Sequence, residues 1–401
     1  MAEPIVEFIS VDTDKRGAEK NIAKMVNFPT GQPLDRTLLD QKVEEVYDTG
    51  EYVSVRYDVV EQDGKTGVKV TAKRKEWLDD YFRFGASLQD DFQGETNFNI
   101  GGAYRMNELT PQGGWAQGEV VIGFSPKVSA TFYQPLGEGS PFFVAPRLEW
   151  ARQTIYPMVD NEIVAQYQRE QALAAFGIGS QLGRAGEIMA EYRAADASIS
   201  RHIGDPDLPE TNFQIGEAAL LWNIDSADNP DFPTEGVINR FQFVESSESL
   251  GSSNNFEQFA ASLVKPFTYG RSTLLLGGDL GRTLGDLPIY RSSAFGGFMN
   301  FSGYTQNSIL ASDWGIARAN YYRRFSEVGS ALLGLGFFVG GTLEYGTFTN
   351  DGSAVEDLTG VFAGSTFLGV DSPLVPIYIG FGMAEQGERS AYFAVGRLSG
   401  R

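Results

Sequence analysis

FFVAPRLEWARQ, residues 142–153, alternates with a period of two. Phe142, Val144, Pro146, Leu148 and Trp150 fall on one side of an extended chain. Ala145, Arg147, Glu149 and Gln153 fall on the other. Successive side chains of a strand point to opposite faces, so the stretch predicts a strand with one apolar and one charged face. A closed barrel would turn the apolar face to lipid and the charged face to a wet lumen. A soluble sandwich would bury the apolar face against a second sheet and leave the charges in water. One strand does not choose between them.

From about residue 81 to the end, extended segments follow one another, divided by Gly, Asp, Asn and Pro clusters. We expect about sixteen, from 82–90 to 389–399, including 162–181, 237–249 and 309–326. An even count with both ends on one side suits a closed membrane barrel, and sixteen strands leave room for an aqueous channel. The connections alternate in character. LGRAG (182–186), DNPDFPTEG (228–236) and TYGR (268–271) are tight or Pro-rich, whereas 201–212 and 285–308 are longer. No tandem repeat is evident, which weighs against a propeller.

Composition narrows the function. The chain has 47 Gly, 29 Phe and 17 Tyr, which suits an all-β protein. It has no cysteine and one histidine, His202, so disulfides, thiolate metal sites, His-rich zinc clusters and most triad chemistry are excluded. No metal site and no cofactor is expected. A net charge of −20 argues against nucleic acid, whose phosphates require clustered Lys and Arg. No stretch reaches the roughly eighteen apolar residues of a membrane helix; Ala331 to Leu343 comes nearest and is broken by glycines. Met1-Ala2-Glu3-Pro4 lacks the basic start and apolar core of a signal peptide. If the protein is exported, this chain is therefore expected to be a mature or partial form.

Residues 1–76 read differently. PIVEFISVD (4–12) predicts a strand. Asp14 is a candidate cap for a helix over about 15–26 with Ala18, Ile22, Met25 and Val26 inward. A second helix is expected over 34–48 with Leu39, Val43, Val46 and Tyr47 inward, then strands at 51–60 and 66–74 joined by Asp63-Gly64. The order is βααββ. GQPLDRTLLDQKVEEVYDTGEYVSVRYDVV (31–60) resembles a POTRA module, the periplasmic domain set before many outer-membrane barrels; any other small α/β domain is the competing reading.

Several strings in order strengthen the resemblance: FYQPLGEGSPFFVAPRLEW (132–150), VAQYQREQ (164–171), GDPDLPETNFQIG (204–216), DNPDFPTEGVINRFQF (228–243), LPIYRSSAFGGFMNFSGY (287–304) and VGGTLEYG (339–346). Over nearly its whole length the chain resembles the translocator portion of the patatin-like type Vd autotransporters, in the superfamily of outer-membrane barrels that includes assembly and two-partner-secretion transporters. The resemblance implies a mainly β protein: a 16-stranded antiparallel transmembrane β-barrel over 77–401, preceded by one βααββ POTRA domain over 1–76 in the periplasm. It implies that a loop at about 285–308 folds into the lumen. Its tip would be Phe301-Ser302-Gly303-Tyr304, facing a wall carboxylate, Glu344, with Gly346 beside it. The superfamily places an arginine where this chain has Ser302, so the usual charge-assisted pair is absent. Ser302 could then donate one neutral hydrogen bond to Glu344, or Arg291, Arg318 or Arg323 could neutralise it. Closure would bring Phe82, Phe84 and Gly85 of the first strand to Phe393, Val395 and Gly396 of the last.

The function expected from the resemblance is an outer-membrane translocator that secretes or displays a fused N-terminal patatin-like lipase passenger. Its partners would be membrane lipid, that passenger and the outer-membrane assembly machinery that inserts the barrel, with homo-oligomers left open. No serine here lies in a Gly-x-Ser-x-Gly elbow, so no catalysis is expected from these residues. A stand-alone assembly or secretion barrel acting on other polypeptides is the second reading. A soluble β-rich enzyme using paired carboxylates is the third.

Overall fold

In the computed structural model, residues 4–396 are described, apart from 14–18, 48–51, 63, 75–79, 91, 93–95, 138, 160–161, 205–209, 230–231, 329–334, 351–356 and 372–375. The chain divides into two compact units. One joins Met1–Tyr81 with Arg105–Ala116 and Gln134–Pro141; the other comprises Phe82–Tyr104, Gln117–Tyr133 and Phe142–Arg401. The first unit therefore also takes in two barrel turns, beyond the expected 1–76.

The three-stranded sheet and two helices of the N-terminal module follow the order βααββ, with an added two-residue strand pair, Ile5–Val6 with Gln32–Pro33, the latter lying between the helices. A strand at Phe8–Thr13 runs parallel to Lys65–Arg74, which pairs antiparallel with Tyr52–Gln62. Two helices, Glu19–Val26 and Arg36–Tyr47, cover this sheet. Asp35 caps the second: its Oδ1 accepts the Leu38 N–H at 3.0 Å. Ile22, Val26, Leu39, Val46, Val68 and Val70 form the core. Met25 and Tyr47, expected inward, are 38 % and 50 % exposed. The buried stripes centre on 22/26 and 39/46, which leaves both side chains at the margin. The expected cap Asp14, Ala18 and turn residue Asp63 lie outside the described residues.

The remaining strands close into a barrel of sixteen: β1 (Tyr81–Asp90), β2 (Thr96–Met106), β3 (Trp115–Gly123), β4 (Lys127–Pro135), β5 (Phe142–Ile155), β6 (Ala165–Gln181), β7 (Glu187–Gly204), β8 (Thr211–Asp225), β9 (Ile238–Ser246), β10 (Phe256–Tyr269), β11 (Ser272–Gly285), β12 (Asp313–Val328), β13 (Leu335–Thr349), β14 (Leu358–Asp371), β15 (Ile377–Ala384) and β16 (Arg389–Gly396). Each strand neighbours the next, and β16 pairs antiparallel with β1 from Ala391↔Asp90 to Gly396↔Gly85. Closure leaves no open edge. The expected strands 162–181 and 309–326 prove composite. Glu162–Ile163 pairs with Met158–Val159 in a sheet of its own, and the wall strand starts at Ala165. Ile309–Ala311 leaves the wall and pairs with Ser293–Phe295 inside the sixth loop of the far end, the end where β1 finishes.

The alternation read in 142–153 holds around the wall. Phe142 and Leu148 face outward, 56 % and 62 % exposed, as do Phe176, Leu343 and Ile379. A lipid-facing barrel carries an outer face of this kind. Inside, charges sit in pairs: Arg147 with Glu149 and Glu191, Arg193 with Glu191, and Lys127 with Glu119. The alternation also sorts the tryptophans. Trp150 and Trp222 stand on the outer face, with indole N–H bonds to Glu170 and the Ala185 carbonyl. Trp314 turns inward and packs on Phe295.

Candidate functional site

The sixth far-end loop, residues 286–312, enters the lumen and is fixed there at its tip and its base. Its descending and ascending arms pair over three residues, Ser293↔Ala311 to Phe295↔Ile309. Below that hairpin the backbone turns through left-handed angles at Gly296 (+110°), Gly297 (+100°), Met299 (+57°), Phe301 (+77°) and Gly303 (+97°). For Met299 and Phe301 such angles cost of order 1–3 kcal/mol each, so the surroundings must hold them. In return, the turn aims successive N–H groups at one anion.

That anion is Glu344 on β13, which is completely buried. The N–H groups of Phe301 and Ser302 donate to its Oε1 and Oε2 at 3.1 and 2.6 Å. On β12, directly across the ladder, Arg318 places Nε 3.4 Å from Oε1. Arg318 also pairs with Asp279 on β11 and reaches Asn300 Oδ1 of the loop at 3.5 Å. A buried carboxylate without such partners would cost several kcal/mol. The side chain of Ser302 takes no part in holding Glu344. Its Oγ accepts the Met299 N–H at 3.3 Å and shapes the turn. The main chain of the tip, not the Ser302 side chain, therefore supplies its contact to Glu344.

The tip also bridges the closing seam. The Gly303 N–H donates to the Tyr392 hydroxyl at 2.7 Å, and Ser390 Oγ donates to the Gly303 carbonyl at 2.9 Å. Both residues are on β16. From β1, Gln89 Nε2 donates to the Tyr304 carbonyl at 3.3 Å and to Ser390 Oγ at 3.5 Å. Three glycines make the approach possible. A Cβ on Gly303 would lie 2.6 Å from the Ala384 nitrogen, and one on Gly346 2.6 Å from the Phe301 ring. A Cβ on Gly382 would lie 2.7 Å from the Gly303 nitrogen. Phe301, Tyr304, Phe348 and Leu358 pack around this contact.

At the base, the loop crosses to the opposite wall. Arg291 pairs with Glu217 on β8, and its guanidinium lies 5.4 Å from the Phe256 ring centre. Tyr290 packs on Phe213 at 4.6 Å, and Arg169 Nη1 donates to the Tyr290 carbonyl at 2.8 Å. Asn307 Nδ2 donates to the Thr154 carbonyl of β5 at 2.9 Å. The loop is thus a strut from β5, β6 and β8 to β13, β16 and β1.

Among the arginines named from sequence, the structure places Arg318 at Glu344 and Arg291 at Glu217 instead. Arg323 is exposed on the outer face, because its odd number sets it out of phase with the inward Arg318 and Tyr322. Of the seam residues, Gly85, Val395 and Gly396 lie in the paired run, and Phe393 opposes Leu88. Phe82 lies beyond that run, its ring over Gly102 of β2, and the Phe84 carbonyl abuts Gly396. Gln89, Asp279, Ser390 and Tyr392 were missed. Inward parity on their strands was the available signal; which of them meet depends on register and closure.

No protein-family model matches the chain, and no curated protein does. Solved structures do. BamA from Haemophilus ducreyi, lacking POTRA domains 1–3, aligns with a TM-score of 0.66 at 12 % identity, over 97 % of this chain and 84 % of that one. CdiB from Acinetobacter baumannii aligns with a TM-score of 0.64 at 9 % identity (98 % and 74 %). CdiB from Escherichia coli gives 0.60 at 14 % (98 % and 76 %). The fold is that of the BamA and CdiB barrels. At these identities the likeness speaks for the fold alone, and the lock described above stands on its own geometry.

Proposed function

We propose that the chain is an outer-membrane translocator that secretes or displays a patatin-like lipase fused before it, and that it catalyses no reaction itself. The observation that carries this reading is a closed sixteen-strand barrel, apolar outside and charged inside, with a loop locked across its lumen onto a buried wall carboxylate. The N-terminal module is the POTRA domain in this reading. Its support is the βααββ order and a BamA alignment long enough to include it. In this reading it would hold the passenger in the periplasm. Gly303 and Tyr304 bond to both seam strands, so releasing the tip would loosen the wall from within. The route out would then be the lumen, the seam, or both.

The same tip-to-seam bridge favours a second reading, an assembly or secretion barrel acting on other polypeptides. One experiment separates the two. A reporter lipase is fused before residue 1, expressed in a Gram-negative host with an export signal, and tested for protease-accessible surface display. Display that is lost when the loop is pinned by a disulfide supports the translocator. A folded, membrane-inserted barrel that leaves the reporter in the periplasm, yet rescues the insertion of other barrels, supports the alternative.

A further inference from the structure

The near end of the lumen, where β1 begins, carries an aromatic slot that the loop-six lock does not use. The turn 226–237 between β8 and β9 tucks Phe232 back into the barrel, where it is 3 % exposed. Its ring stacks on Phe338 at 4.1 Å and 6°, lies 5.3 Å from Tyr378, and meets Tyr322 edge-on at 5.6 Å. Gly369 floors the slot: a Cβ there would come within 2.9 Å of the Phe232 ring. Two hydroxyls grip the following backbone. Tyr322 donates to the Pro233 carbonyl, and Thr268 donates to the Thr234 carbonyl at 2.7 Å.

These contacts read one ring and two consecutive main-chain carbonyls. None of them reads the side chain of Pro233 or Thr234. Any extended segment with an aromatic residue offers the same three features, and stacking of offset rings rewards the aromatic specifically. Among the described residues the turn also bonds to itself. Asp228 accepts from the Thr234 and Glu235 N–H groups and the Thr234 hydroxyl, and Asn229 accepts from the Phe232 N–H.

We propose that this slot is a recognition site for an aromatic residue in an extended polypeptide, held here in cis by Phe232. The proposal rests on the reading of the barrel as a polypeptide conduit, and it gives that conduit a first point of contact at the near mouth. Occupancy would be felt at the lock, because Phe298 of loop six packs on Tyr378 of the slot at 6.0 Å and, at 5.9 Å, on Phe367, which clusters with Phe232, Tyr322 and Phe338.

The test uses the full chain, folded in detergent, and a fluorescent peptide of its own sequence 228–236, DNPDFPTEG, titrated to about millimolar concentration. Phe232→Ala should bind this peptide at least tenfold more tightly than the wild type does. The peptide with alanine in place of phenylalanine should not bind, and Phe232→Ala with Gly369→Leu, which fills the slot, should abolish binding. Asp228→Asn keeps every slot residue and should also raise binding by loosening the turn, so the test survives if Phe232→Ala fails to fold. Equal binding by the wild type and the opened variants, binding that persists with the slot filled, or no binding by any folded opened variant would overturn the proposal. The assay needs no transport, so its failure and a failure of surface display are separate results.

Discussion

At the scale of single residues, the lock depends on main-chain donors more than on the side chains that sequence singles out. Glu344 was legible because it is a lone carboxylate among Val339, Gly340, Gly341 and Gly346. Its donors were not, because a backbone angle of +77° at Phe301 leaves no mark in the residue type. The Ser302 position follows from this. Ser302→Ala should leave the tip in place, whereas Ser302→Pro removes the N–H that donates to Oε2 and should free it. Glu344→Ala leaves the Phe301 and Ser302 N–H groups without their acceptor while Arg318 keeps Asp279, at a cost of about 1–3 kcal/mol for each N–H, so tip opening should rise by more than about tenfold. Glu344→Gln keeps an acceptor and should open less. The native chain has no cysteine, so a single Asn300→Cys reports each case through its rate of thiol labelling. Gly303→Ala meets both a +97° angle and the Ala384 backbone, so it should also raise that rate.

At the scale of elements, alternation gave the strands and their faces, but it could not say which faces meet. Gln89 and Ser390 lie 301 positions apart, and only closure of β16 onto β1 brings them to the Tyr304 and Gly303 carbonyls. A Gln89→Ala and Ser390→Ala double variant should therefore weaken the seam. Leu88→Cys and Phe393→Cys, which oppose each other in register, should then crosslink less completely than in the parent. Unchanged crosslinking would mean that the ladder alone holds the seam. The turn 226–237 was hidden for another reason: Pro, Asp and Gly read as a solvent turn, and nothing in DNPDFPTEG marks Phe232 as turned inward. Its fold carries a pH signature. Burial pushes the Asp228 carboxyl up. The Thr234 hydroxyl and the N–H groups of Glu235, Thr234 and Asn229 outweigh that and hold it below the usual carboxylate range. A depressed value stabilises the folded turn above the unfolded carboxyl's pKa, and that stabilisation is lost as pH falls through the depressed one. A fluorophore on Ala227→Cys should gain mobility in acid. In Asp228→Asn it should be mobile already at neutral pH, with the acid transition gone.

For the whole molecule, the sequence left open whether the apolar faces meet lipid or a second sheet. The sheet proves to be a single closed wall, and Leu148 on β5 and Leu343 on β13, near the middle of their strands, are 62 % and 59 % exposed on its outer face. A lipid-facing wall would cover such side chains with hydrocarbon, and substitution can test this directly. If the belt is in lipid, Leu148→Arg or Leu343→Arg carries a guanidinium into the bilayer at about 2–4 kcal/mol each near the midplane. If the belt is in water, the same changes are surface substitutions worth within about 0.5 kcal/mol. The readout is the urea midpoint of the barrel refolded in vesicles, followed by its compact, unboiled gel band. Both variants should lower the midpoint together, and their sum should be nearly additive, because the sites lie on different strands. A lumen-facing control, Thr342→Arg, changes the same charge by way of packing and should respond to added salt, whereas a lipid-facing arginine has no mobile ions to screen it. Midpoints that do not move with either outer arginine would remove the membrane from the account and leave a closed barrel whose exposed leucines need another cover.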